Sequence, residues 1–248
     1  MYIAFLILLI AFMLYSLITG YRATKKPKNT VRTEATQVKR YRRTMAWMWG
    51  PAIVVVVMSL IGGISLADLG LRPISINYNI WFTANVLTIN YNVWFTAIVL
   101  TISGIMLAFS LRTVILSLTS KKFRDKQKDA IASDSTANDI LPRTKKEKRQ
   151  YILMSISSGI CEELVYRGFI AFLLQAAFPE IPIFLVILIP SVLFGIGHLY
   201  QGWEGVVETG AVGAIFMCLL LVTDSLIPVM FLHFVTNAAH TFLLSEEY

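Results

Sequence analysis

Long runs without a charged side chain constrain this chain more than any other feature. Residues 2–20 and 46–67 carry no charge, and residues 73–111 extend 39 positions without one. An α-helix rises about 1.5 Å per residue, so roughly 20 apolar residues cross a hydrocarbon core of about 30 Å. Composition agrees: 56% of the chain is hydrophobic and 15% charged, against about a quarter charged in soluble domains. The sequence therefore predicts an all-α integral membrane protein with about seven transmembrane helices. The expected spans are residues 2–20, 46–67, 93–117, 151–177, 183–200, 205–222 and 226–244. A cleaved signal peptide needs a basic start, and Met1-Tyr2-Ile3 has none, so an uncleaved first span is expected. Cys161 and Cys218 both lie in apolar blocks, which argues against a disulfide framework.

Charge sets the orientation. Residues 22–43 hold nine Lys or Arg and residues 121–149 hold ten, together 19 of the 22 in the chain. Segments this basic stay in the cytoplasm. Seven spans then place the N-terminus outside and the C-terminus in the cytoplasm. The net charge of +7 is read as this topology signal, with anionic lipid headgroups as partners of the basic segments and no nucleic acid. Both segments read as loops, and the small polar residues 132–138 read as flexible. Residues 76–88 recur as 89–101 with eleven of 13 positions identical. Two copies of so short a unit make no solenoid. They read as a tandem duplication at the outer end of the third span, with Trp81, Tyr91 and Trp94 at the membrane interface.

Ionisable groups inside a span are costly and ask for a partner or a function. The fourth span holds Glu162, Glu163 and Arg167. Glu163 and Arg167 are spaced i,i+4 with the acid first, the favoured order for a helical ion pair. Glu162 points about 100° away on an α-helix and lacks that partner. A carboxyl buried without a cation suits general acid or base work. Phe194 and His198 share one helix face, as do His233 and Asn237. With cytoplasmic basic segments, Glu162, His198, His233 and Asn237 fall at depths that can meet in one cavity. Neither HExxH nor GxSxG occurs. Glu208, i,i+4 from Glu204 in the sixth span, is expected to hydrogen-bond a neighbouring helix, with cavity lining as the alternative. His240 is expected at the interface.

Three ordered motifs carry a resemblance. Glu162-Glu163-Leu164-Val165-Tyr166-Arg167 matches EExxxR, Phe194 to His198 matches FxxxH, and His233 to Asn237 matches HxxxN. Together they resemble the CAAX protease and bacteriocin-processing (CPBP, or Abi) family of intramembrane endopeptidases, similar to the type II CAAX prenyl endopeptidases. The resemblance divides the chain into an N-terminal membrane region, 1–148, and a catalytic core, 149–248. It implies a glutamate-type endopeptidase in which Glu162 and His198 activate water. His233 and Asn237 would stabilise the oxyanion, and Glu163 and Arg167, with Phe194 of the second motif, would support the site. The implied partner is a membrane-associated or lipidated peptide or protein, the implied cofactor none, and the expected location a bacterial cell membrane. Two alternatives stay open. Two Glu and two His could ligate zinc in a metal-dependent version of the protease. Intramembrane carboxylates and histidines also occur in proton-coupled transporters, scaffolds and immunity proteins.

Overall fold

The computed structural model describes residues 32–243 apart from 77–79, 85–86, 92 and 134, together with positions 4, 5, 7, 8, 11, 15, 18, 19 and 22. Most of the expected first span, 2–20, lies outside the described residues. Its described positions are helical, and Phe5 and Tyr15 reach Phe169 and Trp47 with ring centroids 6.0 and 5.3 Å apart.

The architecture is helical. Helix α1 (Glu34–Gly62) starts where the Thr33 side chain caps the Thr36 N–H, and ends at Gly63, whose φ of 67° only glycine adopts freely. It thus begins inside the first basic segment, not at residue 46. After it come a two-stranded antiparallel hairpin, β1 (Ile80–Ala84) and β2 (Leu87–Tyr91), in register Ile80 to Tyr91, and helix α2 (Val93–Thr119). The second basic segment is not the loop expected. It folds as α3 (Lys121–Ser133) and α4 (Ser135–Ile140), and residue 134 between them is not described. Helix α5 (Lys145–Glu162), N-capped by Thr144, runs straight into a π-helical segment (Glu163–Ile170) and then α6 (Ala171–Ala177). Helices α7 (Ile183–Gly197), α8 (Gly202–Thr223) and α9 (Leu226–Ala239) complete the bundle, with short 3₁₀ turns at Leu199–Gln201 and His240–Phe242.

Among the described residues, three helical stretches are long and apolar enough to cross a membrane: Glu34–Gly62, Val93–Thr119 and Leu199–Thr223. Ile183–Gly197 and Leu226–Phe242 are apolar but shorter. Small residues bring the helices together, as is usual where lipid supplies no hydrophobic drive for association. A Cβ on Gly195 would lie 2.5 Å from the Val206 carbonyl of α8, and one on Gly159 would lie 2.9 Å from the Met230 carbonyl of α9. Those two close crossings set α7 on α8 and α5 on α9.

Both basic segments dock on each other at one end of the bundle. Arg32 Nη2 meets Glu147 Oε2 at 2.6 Å, and the Tyr41 hydroxyl donates to the Ile140 carbonyl at 2.6 Å. At the opposite end, Leu226 N donates to Gly70 O at 2.8 Å, Ser75 N to Thr223 O at 2.9 Å, and Arg72 pairs with Asp224.

Candidate active site

The π-helical segment begins at Glu163, the second glutamate of the EExxxR motif. Such segments insert a residue into the helical turn and cluster at functional positions. Glu163 is fully buried. Its Oε1 accepts from Arg167 Nη1 at 3.0 Å and from His233 Nδ1 at 2.6 Å. The ion pair read from sequence is therefore present, with a third member from α9. Arg167 lies between aromatic rings, its guanidinium carbon 4.2 Å from the Phe194 centroid and 5.6 Å from that of Phe216. A guanidinium is weakly hydrated and stacks on ring faces, which suits it to such a slot.

Glu162 differs from the expected picture in one respect. It does lack Arg167, yet it is not without a partner: Oε2 lies 3.7 Å from His233 Nε2. The His233 ring thus stands between the two glutamates of the motif. Glu163 fixes Nδ1, and Nε2 faces Glu162. Burial separates the two acids, with the Glu162 side chain 16% exposed and that of Glu163 at 0%.

One helical turn away the same two helices meet again. Asn237 Nδ2 donates to Ser158 Oγ at 2.8 Å, and Ser158 Oγ donates to Ser155 O at 3.1 Å. Because the serine proton goes to a carbonyl, its oxygen must accept, which fixes the amide nitrogen of Asn237 towards it. The second N–H of that amide is left for another acceptor. Ser158–Asn237 and Glu162–His233 are two rungs of one ladder between α5 and α9, each spaced i,i+4.

His198 closes the group at the end of α7. Its Nδ1 lies 2.8 Å from the Phe194 carbonyl, so Nδ1 carries the proton and Nε2 of the neutral ring presents a lone pair. Its ring centroid is 4.6 Å from that of Phe194, which in turn stands edge-on to His233 at 6.1 Å. Glu162, Glu163, Arg167, Phe194, His198 and His233 thus form one connected cluster, with Asn237 on the adjoining rung. Glu162 pairs with His233 rather than with His198.

Residues 147–239 match the family described as type II CAAX prenyl endopeptidase Rce1-like. That segment, 93 of the chain's 248 residues, is similar to this family. No curated protein and no solved structure gives a significant match. The Rce1-like segment contains every residue of the cluster and all three motifs, and the family is one of CAAX-type intramembrane proteases.

The Rce1-like segment also contains contributors that the motifs do not name. Ser158, i−4 from Glu162, orients Asn237, and that spacing was the signal available for it. Phe216 flanks Arg167 and has its centroid 5.5 Å from that of His233. A Cβ on Gly213 would lie 3.0 Å from Arg167 Nη2, so this glycine clears the guanidinium. Nothing short of tertiary structure marks the last two. Glu208 is exposed and makes no hydrogen bond to a neighbouring helix among the described residues, contrary to the expectation for it. His240 is exposed at the end of α9. A cavity of about 610 Å³ along α1 meets the π-helical segment only at Val165 and is separate from the cluster.

Proposed function

We propose that the chain is a glutamate-type intramembrane endopeptidase that hydrolyses a peptide bond in a membrane-associated or lipidated peptide or protein. The observation that carries the reading is the two-carboxylate clamp on His233 inside apolar helices. One acid is tied to an arginine and fully buried, and the other keeps 16% of its side chain accessible.

In this reading Glu162 takes a proton from a water held between it and His198 Nε2, and the hydroxide adds to the scissile carbonyl carbon. The carbonyl becomes an oxyanion, towards which the free N–H of Asn237 donates, joined by Nε2–H of His233 when that ring carries both protons between the two glutamates. The tetrahedral intermediate then collapses. The C–N bond breaks, and the proton on Glu162 passes to the departing amine, so that water is consumed and no net proton is released in the chemical step. Glu163 holds the His233 ring by Nδ1 and Arg167 holds Glu163.

The metal-free form is favoured over the zinc-dependent one by the donor chemistry. Glu163 Oε1 is already engaged by Arg167 and His233, and Asn237 is a poor zinc ligand. Chelation of purified protein should leave cleavage unchanged. Inhibition reversed by added zinc would replace this mechanism with the metal-dependent one. The substrate is found by comparing membrane peptidomes of cells carrying the wild type or Glu162→Gln. Peptides that lose a fragment only with the wild type identify both substrate and cleaved bond, and identical peptidomes would count against a protease.

A further inference from the structure

Tyr166 lies inside the first motif, yet the proposed chemistry does not use it. It follows Glu162 by four positions, so the two side chains leave one face of the helical chain, about 40° apart at α-helical pitch. Its ring stands edge-on to Phe194 with centroids 5.2 Å apart, and Phe194 in turn lies 4.6 Å from the His198 ring. The hydroxyl reaches the backbone beside His198: a Cβ on Gly197 would lie 3.1 Å from its oxygen, so the glycine leaves the hydroxyl its place. Tyr166 thus spans from the chain segment of Glu162 to the end of α7 that carries His198. A tyrosine hydroxyl inside a protein usually has a partner. Tyr41 donates to the Ile140 carbonyl, and Tyr200 accepts from Gln201. The Tyr166 hydroxyl has no hydrogen-bond partner among the described residues. Nor is it sealed. The polar atoms of the cluster that are buried without a partner are Glu163 Oε2 and Arg167 Nε and Nη2. The Tyr166 oxygen is not among them, so a small molecule can reach it. Phenylalanine would make every ring contact seen here, and only the oxygen would be missing.

The geometry points to Tyr166 as a further catalytic residue, whose hydroxyl donates to the oxygen of the attacking water. The inference rests on the protease reading and deepens it. A water molecule has two protons to give and two lone pairs to offer. Held between Glu162 and His198 Nε2, it gives both protons and keeps both lone pairs free, so it can still tilt about the line joining its two acceptors. A donor hydroxyl occupies one lone pair and stops that tilt. The other lone pair is then left to attack the carbonyl carbon, and its direction is set. As Glu162 takes the proton, the water oxygen gains negative charge and the hydrogen bond from Tyr166 strengthens. The contact therefore favours the transition state over the bound ground state. The tyrosine keeps its own proton throughout.

The test compares purified full-length wild type, Tyr166→Phe, Tyr200→Phe and Glu162→Gln in liposomes, with the substrate found by the peptidome comparison. Thermal unfolding is measured on the same samples. Tyr166→Phe should lower kcat on the order of 10- to 100-fold, the effect of one hydrogen bond to a group that becomes charged. KM should stay near wild type, because the water and not the peptide is held. The melting temperature should stay equal or rise, since the deleted hydroxyl has no protein partner to strand. Tyr200 is the control. Its ring lies 5.7 Å from that of His198 on another side, and its hydroxyl is engaged by Gln201, so Tyr200→Phe should cleave at the wild-type rate. Wild-type kcat in Tyr166→Phe, a loss confined to KM, a fall in melting temperature that accounts for the lost rate, or an equal loss in Tyr200→Phe would each overturn the role. Glu162→Gln separates the two levels of the argument. If it is inactive while Tyr166→Phe cleaves at the full rate, this inference fails and the protease reading stands. If it cleaves at the wild-type rate, the protease reading fails and takes this inference with it.

Discussion

At the residue scale the site depends on how Glu163 and Arg167 satisfy each other. One carboxylate oxygen accepts from two donors, while Glu163 Oε2 and Arg167 Nε and Nη2 are buried without hydrogen-bond partners among the described residues. The rings of Phe194 and Phe216 therefore carry part of the cation's stabilisation, and the pair tolerates little change. Arg167→Leu strands a buried carboxylate, a loss worth roughly 3–5 kcal/mol. Thermal unfolding in detergent should shift down markedly and cleavage should fall with it; an unchanged melting curve would show that the pair is dispensable. Lysine should not rescue, because a point charge on a flexible stem cannot lie flat between the two rings. Loss of either proposed oxyanion donor, in His233→Ala or Asn237→Ala, should slow turnover by ~100-fold or more. That effect should appear in kcat, since the oxyanion exists only after attack; a change confined to KM would speak for ground-state binding instead. The Glu163–Arg167 pair was legible from its spacing alone. The partner of Glu162 was not, because His233 lies on another helix 71 positions along the chain, and helical phase says nothing about what crosses from a neighbour.

At the element scale, charge-free runs located the helices well, and their ends depended on local chemistry that such runs do not record. The stretch expected at 93–117 is α2 (Val93–Thr119) and that at 205–222 is α8 (Gly202–Thr223). α1 instead begins 12 positions before its apolar block because Thr33 caps it within basic sequence. α3 was missed because polarity was read as a loop, although Lys, Arg and Gln are good helix formers. The duplication shows the limit of any local reading. Trp-Phe-Thr-Ala lies in strand β1 in the first copy (81–84) and in helix α2 in the second (94–97), so four identical residues take two structures by context. The first copy therefore contributes β1 and the first two residues of β2, whereas the second supplies the rest of β2 and the start of α2. Deleting 76–88 should leave a protein that inserts into membranes and cleaves substrate at near wild-type rate. Loss of activity at normal expression would assign the hairpin a part in substrate entry.

At the scale of the whole molecule, the two basic segments interlock. Glu147 is nearly fully buried and receives Arg32 at 2.6 Å and the Arg143 backbone N–H at 2.8 Å. They share one end of the bundle, as the positive-inside reading requires, and the 65–75 turn with Asp224 lies at the other. Single cysteines at Lys39 and Lys126, in a background lacking Cys161 and Cys218, should react with an impermeant maleimide only from the cytoplasmic side. A cysteine at Asp68 should react only from the opposite side, and labelling of all three from one side would contradict this topology. The proposed catalysis belongs to this scale too, since water would have to reach Glu162 through the apolar bundle. The decisive measurement is cleavage of an identified substrate in liposomes by the wild type and by Glu162→Gln at matched stability. That substitution keeps size and hydrogen bonding and removes only the base. The account predicts that turnover is abolished while thermal unfolding and substrate binding stay near wild type. Cleavage at the wild-type rate by Glu162→Gln would contradict it and remove the ground for placing the active site between these helices.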